Sequence, residues 1–375
     1  MSRDKYLVMH KGIARWKLDN PFENWLSYKA DKSEWWKRIY VWFYWLFDHK
    51  YYVGGIKMIN KQLEIFKAEW HGIKRSYVVR DMIYSLHRFG ADFQDYWNYG
   101  FLNLSAVGKE RFVVDKLRYG YDDILSTPEI IDLVSDKYAC YCKLKPYYKR
   151  EALGCYNKKD IVKFRDFVQR NHQFIYKPLS SDCGKGVQKI DLAEGEVDEF
   201  FDANIVNGPF IVEQLINQDE TMARLHPHSI NTVRVVTFTS AGQVNIVATS
   251  LRIGVGGAVA DNAGSGGIFT SIDPETGLVV CKACNYRGGK YIKHPDTRVV
   301  IPGFQIPAWD DLKEIVHRVA LELENGVLIS WDFSYSKNGW VIVEVNTGGD
   351  WIILQAAQKE PLKSRLYELI DKMKR

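Results

Sequence analysis

Residues 329–351 read ISWDFSYSKNGWVIVEVNTGGDW, and they constrain the chain more than any other stretch. Two alternating β-rich runs, 329–334 and 340–345, are joined by Lys337-Asn338-Gly339, and Asn-Gly between such runs is the strongest short signal for a β-hairpin. Side chains alternate faces along a strand, so Glu344 and Asn346 point the same way, and Asp332 joins them when the pairing register allows. Two carboxylates and an amide oxygen then converge. Hard oxygen donors on a rigid scaffold suit Mg²⁺, which keeps several waters and takes one or two carboxylates together with the phosphates of its substrate. The plain alternative is a hairpin whose polar face meets water.

At 375 residues, 46% hydrophobic and 26% charged, the chain has the size and composition of two or three soluble domains with ordinary cores. Its net charge of +5 is unevenly placed. Residues 1–150 hold 26 Lys and Arg against 18 Asp and Glu, whereas residues 151–375 hold 25 against 28. Eight of the twelve tryptophans also lie in the first hundred residues, so the two ends of the chain differ in kind. The opening MSRDKYLVMH has no apolar h-region, so no secretory signal is expected, and the six cysteines read as cytosolic thiols. A four-thiolate zinc site from Cys140, Cys142, Cys281 and Cys284 is the weaker alternative, because the Cys140-x-Cys142 spacing is tight.

Residues 35–52, WWKRIYVWFYWLFDHKYY, form the most apolar run, but its uninterrupted part is well short of the ~20 residues that span a bilayer. The favoured reading is a helix covered on all sides within an α-helical N-terminal domain. Docking to a membrane surface or to a partner is the alternative, since Trp and Tyr beside Lys37, Arg38, His49 and Lys50 suit a lipid interface. Residues 77–89 recur at helical spacing, and Thr127-Pro128-Glu129 gives an N-cap, a proline at the first helical position and an acidic first turn. Beyond them short β-rich runs alternate with helices expected at 196–204, 308–324 and 361–374, which makes the second half α+β.

Residues 174–191, FIYKPLSSDCGKGVQKID, read as a strand ending on Lys177-Pro178, a small-residue loop and a second strand. Small residues let backbone N–H groups close over phosphate oxygens, while a lysine at the strand end supplies a point charge to the same anion. The loop is neither a Walker A loop nor a Rossmann turn, and a loop with two glycines is by itself more often just a hairpin connection. Residues 210–220, FIVEQLINQDE, follow as a buried strand carrying Glu213, with Glu220 seven residues beyond.

In that order and at those intervals, the Lys177-Pro178 strand end, the glycine loop, Val212-Glu213-Gln214-Leu215-Ile216 with Glu220, Asp332 and Glu344-Val345-Asn346 resemble the ATP-grasp superfamily. The core is similar to ribosomal-protein glutamate ligases and D-alanine ligases. The phrases Asn231-Thr232-Val233-Arg234-Val235-Val236-Thr237 and Asp261-Asn262, with Gly266-Gly267, most resemble the sugar-transfer-associated ATP-grasp branch. The resemblance covers residues 136–351 and implies an ATP-grasp fold of two α+β subdomains, at 131–215 and 216–375, behind a helical, aromatic and basic domain at 1–130.

It further implies ATP and Mg²⁺ as cofactors. Lys137 and Lys177 would hold the α- and β-phosphates under a lid containing Ser180, Ser181, Gly184, Lys185 and Gly186. Gln214, Leu215 and Ile216 would read the adenine edge beside Glu213, with Glu220 on the ribose. Asp332, Glu344 and Asn346 would carry the metal, and Arg234, Arg252 and Asn262 would face the transferred phosphoryl group. The implied activity is a carboxylate–amine ligase working through an acyl phosphate and releasing ADP, in the synthesis or modification of cell-surface polysaccharide. Its partners would be ATP, a carboxylate such as a uronic acid or glycan precursor, and an amine, with membrane or partner contact through the N-terminal domain and no nucleic acid. Its place would be the cytoplasm, with a peripheral position at the inner membrane face as the alternative. The alternatives are a sugar or small-molecule kinase and a nucleotide-binding scaffold. D-alanine ligases have an arginine two residues before the metal aspartate, where this chain has Ser330, which argues against an amino-acid substrate held in that manner. His226 and His228 either touch substrate or fasten the loop before Ile230.

Overall fold

The computed structural model describes residues 21–47, 49–114, 125–179, 186–258, 261–323 and 326–373. The chain divides into one unit of residues 1–125, 284–290 and 348–375 and another of 126–283 and 291–347.

The first unit is helical. Its leading helices are α1 (Pro21–Lys32), α2 (Glu34–Phe47), α3 (His49–Ile65) and α4 (Arg75–Phe89), and the C-terminal helices Trp351–Gln355 and Lys363–Met373 belong to it as well. Leu26 and Ala30 of α1, Tyr40 and Tyr44 of α2, and Tyr84 and Phe89 form one core; the four-residue spacing within α1 and α2 puts each pair on one helical face. Asp81 pins the unit from inside, accepting hydrogen bonds from Lys109 Nζ at 2.6 Å, Lys37 Nζ at 3.1 Å and Tyr96 Oη at 2.8 Å. Burial works to raise its pKa, but the two ammonium groups outweigh it and hold the carboxyl below the usual range. The C-terminal segment is tied in by Gln355, which donates to Val113 O at 2.8 Å and accepts from Val113 N and Leu362 N.

The aromatic run at 35–52 departs from the expectation of all-round burial. Tyr40 and Tyr44 turn inward, where their hydroxyls donate to Glu23, while Trp35, Trp42 and Trp45 on the opposite face of α2 are exposed. Helices α1 and α4 cover α2 from one side; Tyr40 meets Tyr84 at 5.5 Å between ring centroids and Tyr44 stacks on His87 at 4.3 Å.

The second unit is α+β, as the sequence led us to expect, and holds two antiparallel sheets. The smaller has the order β1-β4-β2-β3, with β1 (Ala152–Cys155), β2 (Gln173–Pro178), β3 (Gln188–Asp191) and β4 (Phe210–Gln214). Helices Ile161–Arg170 and Val197–Ile205 pack Phe164, Phe167 and Phe201 onto Phe174 and Phe210 of that sheet. The larger is built on β5 (Thr232–Ser240), β6 (Gln243–Ile253), β7 (Ile268–Ser271), β8 (Leu328–Ser336) and β9 (Gly339–Thr347), in the order β9-β8-β5-β6-β7. The period of two gives this sheet two unlike faces. Val233, Val235, Leu251, Ile253, Trp331 and Val345 share an apolar core with Leu312, Val316 and Val319 of helix Trp309–Glu322, and the residues between them are polar. Before this unit's first strand, Thr127 caps helix Pro128–Ser135 through Ile130 N, as its Thr-Pro-Glu signature implies.

Replacing Asp81 by alanine leaves Lys109 buried without its counter-charge and is expected to destabilise the protein by about 3–5 kcal/mol. Urea denaturation checks this; a loss below about 1 kcal/mol would show that the cluster does not anchor the helical unit.

Candidate active site

Across the larger sheet the pairing registers line up a row of side chains on the face away from the apolar core. Glu344 lies opposite Asp332, Asp332 opposite Arg234, Arg234 opposite Ser250, and Ser250 opposite Ser271. Directly paired residues in an antiparallel sheet share a face, so the convergence expected of Asp332, Glu344 and Asn346 follows from the register, with Asn346 opposite Ser330 in the next row. The hairpin carries a bulge: Asp332 pairs with Glu344 but Phe333 pairs with Ile342, which leaves Val343 as the extra residue beside Glu344.

Asp332 is 1% exposed and bonded to two arginines. Arg234 grips it with Nε at 2.8 Å from Oδ1 and Nη2 at 2.7 Å from Oδ2, and Arg252 Nη1 donates to Oδ2 at 2.8 Å. Burial pushes the Asp332 carboxyl up, and the two guanidinium groups outweigh that and hold it below its ordinary pKa. Arg252 also lies 3.2 Å from Asp261, which accepts from Thr232 N at 2.8 Å and Thr232 Oγ1 at 2.5 Å. Burial keeps the Asp261 carboxyl above its ordinary pKa, despite Arg252 and Thr232.

A second ionic cluster sits on the smaller sheet. Glu213 of β4 accepts from Lys177 Nζ at 2.8 Å on one oxygen and from Arg150 Nε and Nη2 at 3.0 and 2.6 Å on the other. Burial would raise the Glu213 carboxyl, yet Arg150 and Lys177 together bring it down to about 2. Arg150 does more than neutralise. Its Nη1 donates to Ile342 O at 2.5 Å and its Nη2 approaches Val343 O at 3.4 Å. The guanidinium therefore satisfies carbonyls at the bulge beside Glu344 while gripping Glu213, and so joins the two sheets.

The remaining candidates are placed as follows. Lys137 opens the helix Lys137–Lys143 behind its cap Asp136, and its Nζ lies 3.5 Å from Leu179 O, where β2 ends and the loop begins. Gly186, at the far end of that loop, has φ +76°, which suits glycine. Ser180, Ser181, Gly184 and Lys185 lie outside the described residues. Gln214 ends β4 and donates its N–H to Glu151 O; Leu215 and Ile216 follow half-buried, and Glu220 is exposed at the start of the turn Glu220–Ala223. Asn262 accepts from Gly264 N at 2.9 Å and holds the turn after Asp261. His226 is fully buried, 2.8 Å from both Ser229 Oγ and Gly256 O, and fastens its loop, whereas His228 is exposed.

These residues fit a hard cation next to phosphate. An ionised carboxylate has about four lone-pair sites, and Asp332 uses three of them on arginines. Glu344 makes no salt bridge among the described residues, and Asn346 adds an amide oxygen. The hydroxyls of Ser250, Ser271 and Ser330 and the Nε of Arg252 are buried without a hydrogen-bond partner among the described residues, which marks this face as built for polar company. Among the described residues no three His, Cys, Asp or Glu side chains gather as metal ligands.

Sequence reasoning passed over Arg150, a lone cation after two tyrosines with no motif around it, and assigned no role to Asp261, although Asp261 stands in the quoted Asp261-Asn262 phrase. Only the fold brings either to its partner.

Residues 121–371 match the profile of the family described as Sugar-transfer associated ATP-grasp. The chain belongs to that family, and it is an ATP-grasp enzyme. No curated protein matches it in sequence. Among solved structures it is similar to D-alanyl-alanine synthetase A from Vibrio cholerae, at 13% identity over 68% of this chain and 72% of that one, with a TM-score of 0.43. It is also similar to D-alanine-D-alanine ligase from Helicobacter pylori, at 14% identity over 68% of each chain and a TM-score of 0.41. A third is phosphoribosylamine–glycine ligase from Thermotoga maritima, at 12% identity over 66% of this chain and 56% of that one, TM-score 0.43. Likenesses so remote say nothing of substrate.

Glu213 gives a pH signature with a definite sign. Its folded pKa of about 2 lies below the unfolded value of about 4.3, so ionised Glu213 stabilises fully above that value, and its contribution fades as pH falls toward 2. Between pH 5 and pH 3 the native protein is expected to lose about 1.5 kcal/mol more than the Glu213→Gln variant, by urea titration. Equal losses would mean that Glu213 is not held ionised by Arg150 and Lys177.

Proposed function

We propose that the chain is an ATP-dependent carboxylate–amine ligase that forms an amide through an acyl phosphate, acting on a carboxylated precursor of cell-surface polysaccharide. The observation that carries this reading is the row Glu344, Asp332 and Arg234 on one sheet face, with Arg252 closing on the same carboxylate, in a chain of the sugar-transfer associated ATP-grasp family.

In this reading Lys137 and Lys177 hold the α- and β-phosphates of ATP. The strand end at Gln214, Leu215 and Ile216 meets the adenine edge, and Glu220 the ribose. Asp332, Glu344 and Asn346 would hold Mg²⁺, which would supply charge neutralisation to the phosphates. A substrate carboxylate oxygen attacks the γ-phosphorus, the bond to ADP breaks, and Arg234 and Arg252 stabilise the charge on the phosphoryl group in flight, with Asn262 beside them. An amine nitrogen then attacks the acyl carbon, the C–O bond to phosphate breaks, phosphate leaves, and the amine gives up a proton. Water has to be kept from the acyl phosphate, which it would otherwise hydrolyse. Ser330 stands two residues before Asp332, where D-alanine ligases have an arginine, which speaks against an amino-acid substrate held in that manner; the uronic acid or related anionic sugar is taken from the family alone. The setting is the cytoplasm, at the inner face of the membrane.

Incubation with ATP, Mg²⁺, hydroxylamine and a panel of uronic acids tests the chemistry. The acyl phosphate is expected to be trapped as hydroxamate in proportion to ADP. Phosphorylated sugar without hydroxamate would instead identify a kinase. Glu344→Gln removes a half-buried carboxylate that makes no salt bridge among the described residues, so it is expected to keep the native thermal midpoint and to lower ADP formation by about a hundredfold or more. Unchanged turnover would remove Glu344 from the site.

A further inference from the structure

Helices α1 and α2 present an outward surface of a composition that monomeric proteins seldom leave in water. Trp35, Trp42 and Trp45 are 60%, 59% and 50% exposed, and Leu46 lies beside them; their spacing puts all four on one face of α2. Trp25 and Tyr28 on the outer side of α1 are about half exposed. The two sets join, because the Trp36 ring lies 5.1 Å from that of Trp25 and 4.7 Å from that of Trp35.

The charges around this belt are sorted. The acids of both helices face other groups: Glu23 is buried under the Tyr40 and Tyr44 hydroxyls, Asp31 pairs with Arg88, and Glu34 pairs with Lys37 and Arg80. Lys29, Lys32 and Arg38 stand among the exposed rings and make no salt bridge among the described residues. The twenty residues before α1 continue the bias in sequence, with five Lys and Arg against Asp4 and Asp19. Among the described residues no helix is long and apolar enough to cross a membrane, so this belt is not part of a span.

We propose that the outer faces of α1 and α2 are a docking surface for a lipid bilayer bearing anionic headgroups. Indole and phenol rings settle at the level of the headgroups, where the ring meets the acyl boundary and the N–H or O–H stays wet, and each nearby Lys or Arg adds attraction to lipid phosphate. A protein partner fits less well, because the centres of protein interfaces are depleted in lysine, whereas here Lys29, Lys32 and Arg38 stand among the tryptophans. A second copy of the chain would bring two basic faces together. The surface is argued from these side chains alone and rests on the proposed reaction only for which face of the membrane is met.

Full-length protein is sedimented without nucleotide, with vesicles of phosphatidylcholine alone and with vesicles of phosphatidylcholine and phosphatidylglycerol. Pelleting is expected with the anionic vesicles at low salt, fading as salt rises. The triple variant Trp35→Ser, Trp42→Ser, Trp45→Ser and the charge variant Lys29→Glu, Lys32→Glu, Arg38→Glu are each expected to partition at least about tenfold more weakly with an unchanged thermal midpoint. Brominated lipid is expected to quench the tryptophan fluorescence of the native protein and to quench that of the tryptophan variant much less. Failure to pellet with anionic vesicles, or pelleting equal to the native protein in both variants, would overturn the proposal. So would a dimer in sedimentation velocity that the tryptophan variant dissolves, since that would give the face to a second copy. None of these outcomes involves ATP turnover, so failure here leaves the ligase reading standing, and failure there leaves this one.

Discussion

The guanidinium of Arg150 is the constraint on which the second unit depends. It grips Glu213 on the smaller sheet and the carbonyls of Ile342 and Val343 on the larger, where the bulge has disturbed the ladder. A buried ion pair stabilises only when its geometry is good and its spare hydrogen-bonding capacity is filled. Arginine meets both conditions here because its five donors form a rigid fork: two reach the carboxylate and the others reach backbone oxygens. Lysine at this position would match the charge and leave the bulge unsatisfied. Through this one side chain, the pair that includes Lys177 is held in register with the strand that carries Glu344.

The larger sheet explains why the polar residues gather where they do. Its period of two sends Trp331, Val235 and Leu251 into the core, and the same period forces Asp332, Arg234 and Ser250 onto the other side. A carboxylate as buried as Asp332 has to be compensated, and two arginines do so at distances of 2.7–2.8 Å. Those arginines are in turn oriented, Arg252 by Asp261, and Asp261 by Thr232. The two guanidinium groups are thereby balanced by Asp332 and Asp261 and held in fixed orientation. Groups fixed in this way need little rearrangement when a charged ligand arrives.

The parts legible in the sequence were those fixed by local rules. Asn338-Gly339 set the hairpin, and the period of two set the shared face of Asp332, Glu344 and Asn346. Thr127-Pro128-Glu129 set a helix start, and the ordered motifs set the family. What stayed hidden depends on contacts across long separations. Arg150 meets carbonyls 192 and 193 residues away, and no local pattern distinguishes it from a surface cation. Val343 becomes a bulge only through the partner strand it skips. The aromatic run misled for a related reason. Its mean apolarity suggested cover on all sides, but cover is decided face by face, and α1 and α4 shield Tyr40 and Tyr44 while leaving Trp35, Trp42 and Trp45 outside.

The central claim is that the carboxylates of Asp332 and Glu344 form one divalent-cation cradle beside the phosphates held by Lys177. A crystal grown with Mn²⁺ and a non-hydrolysable ATP analogue tests it most directly through the anomalous signal of the metal. The account expects a manganese peak within about 2.5 Å of oxygens from both carboxylates, with the analogue's phosphates between that peak and the Lys177 ammonium. A peak elsewhere on the chain, or phosphates bound away from Lys177, would contradict it.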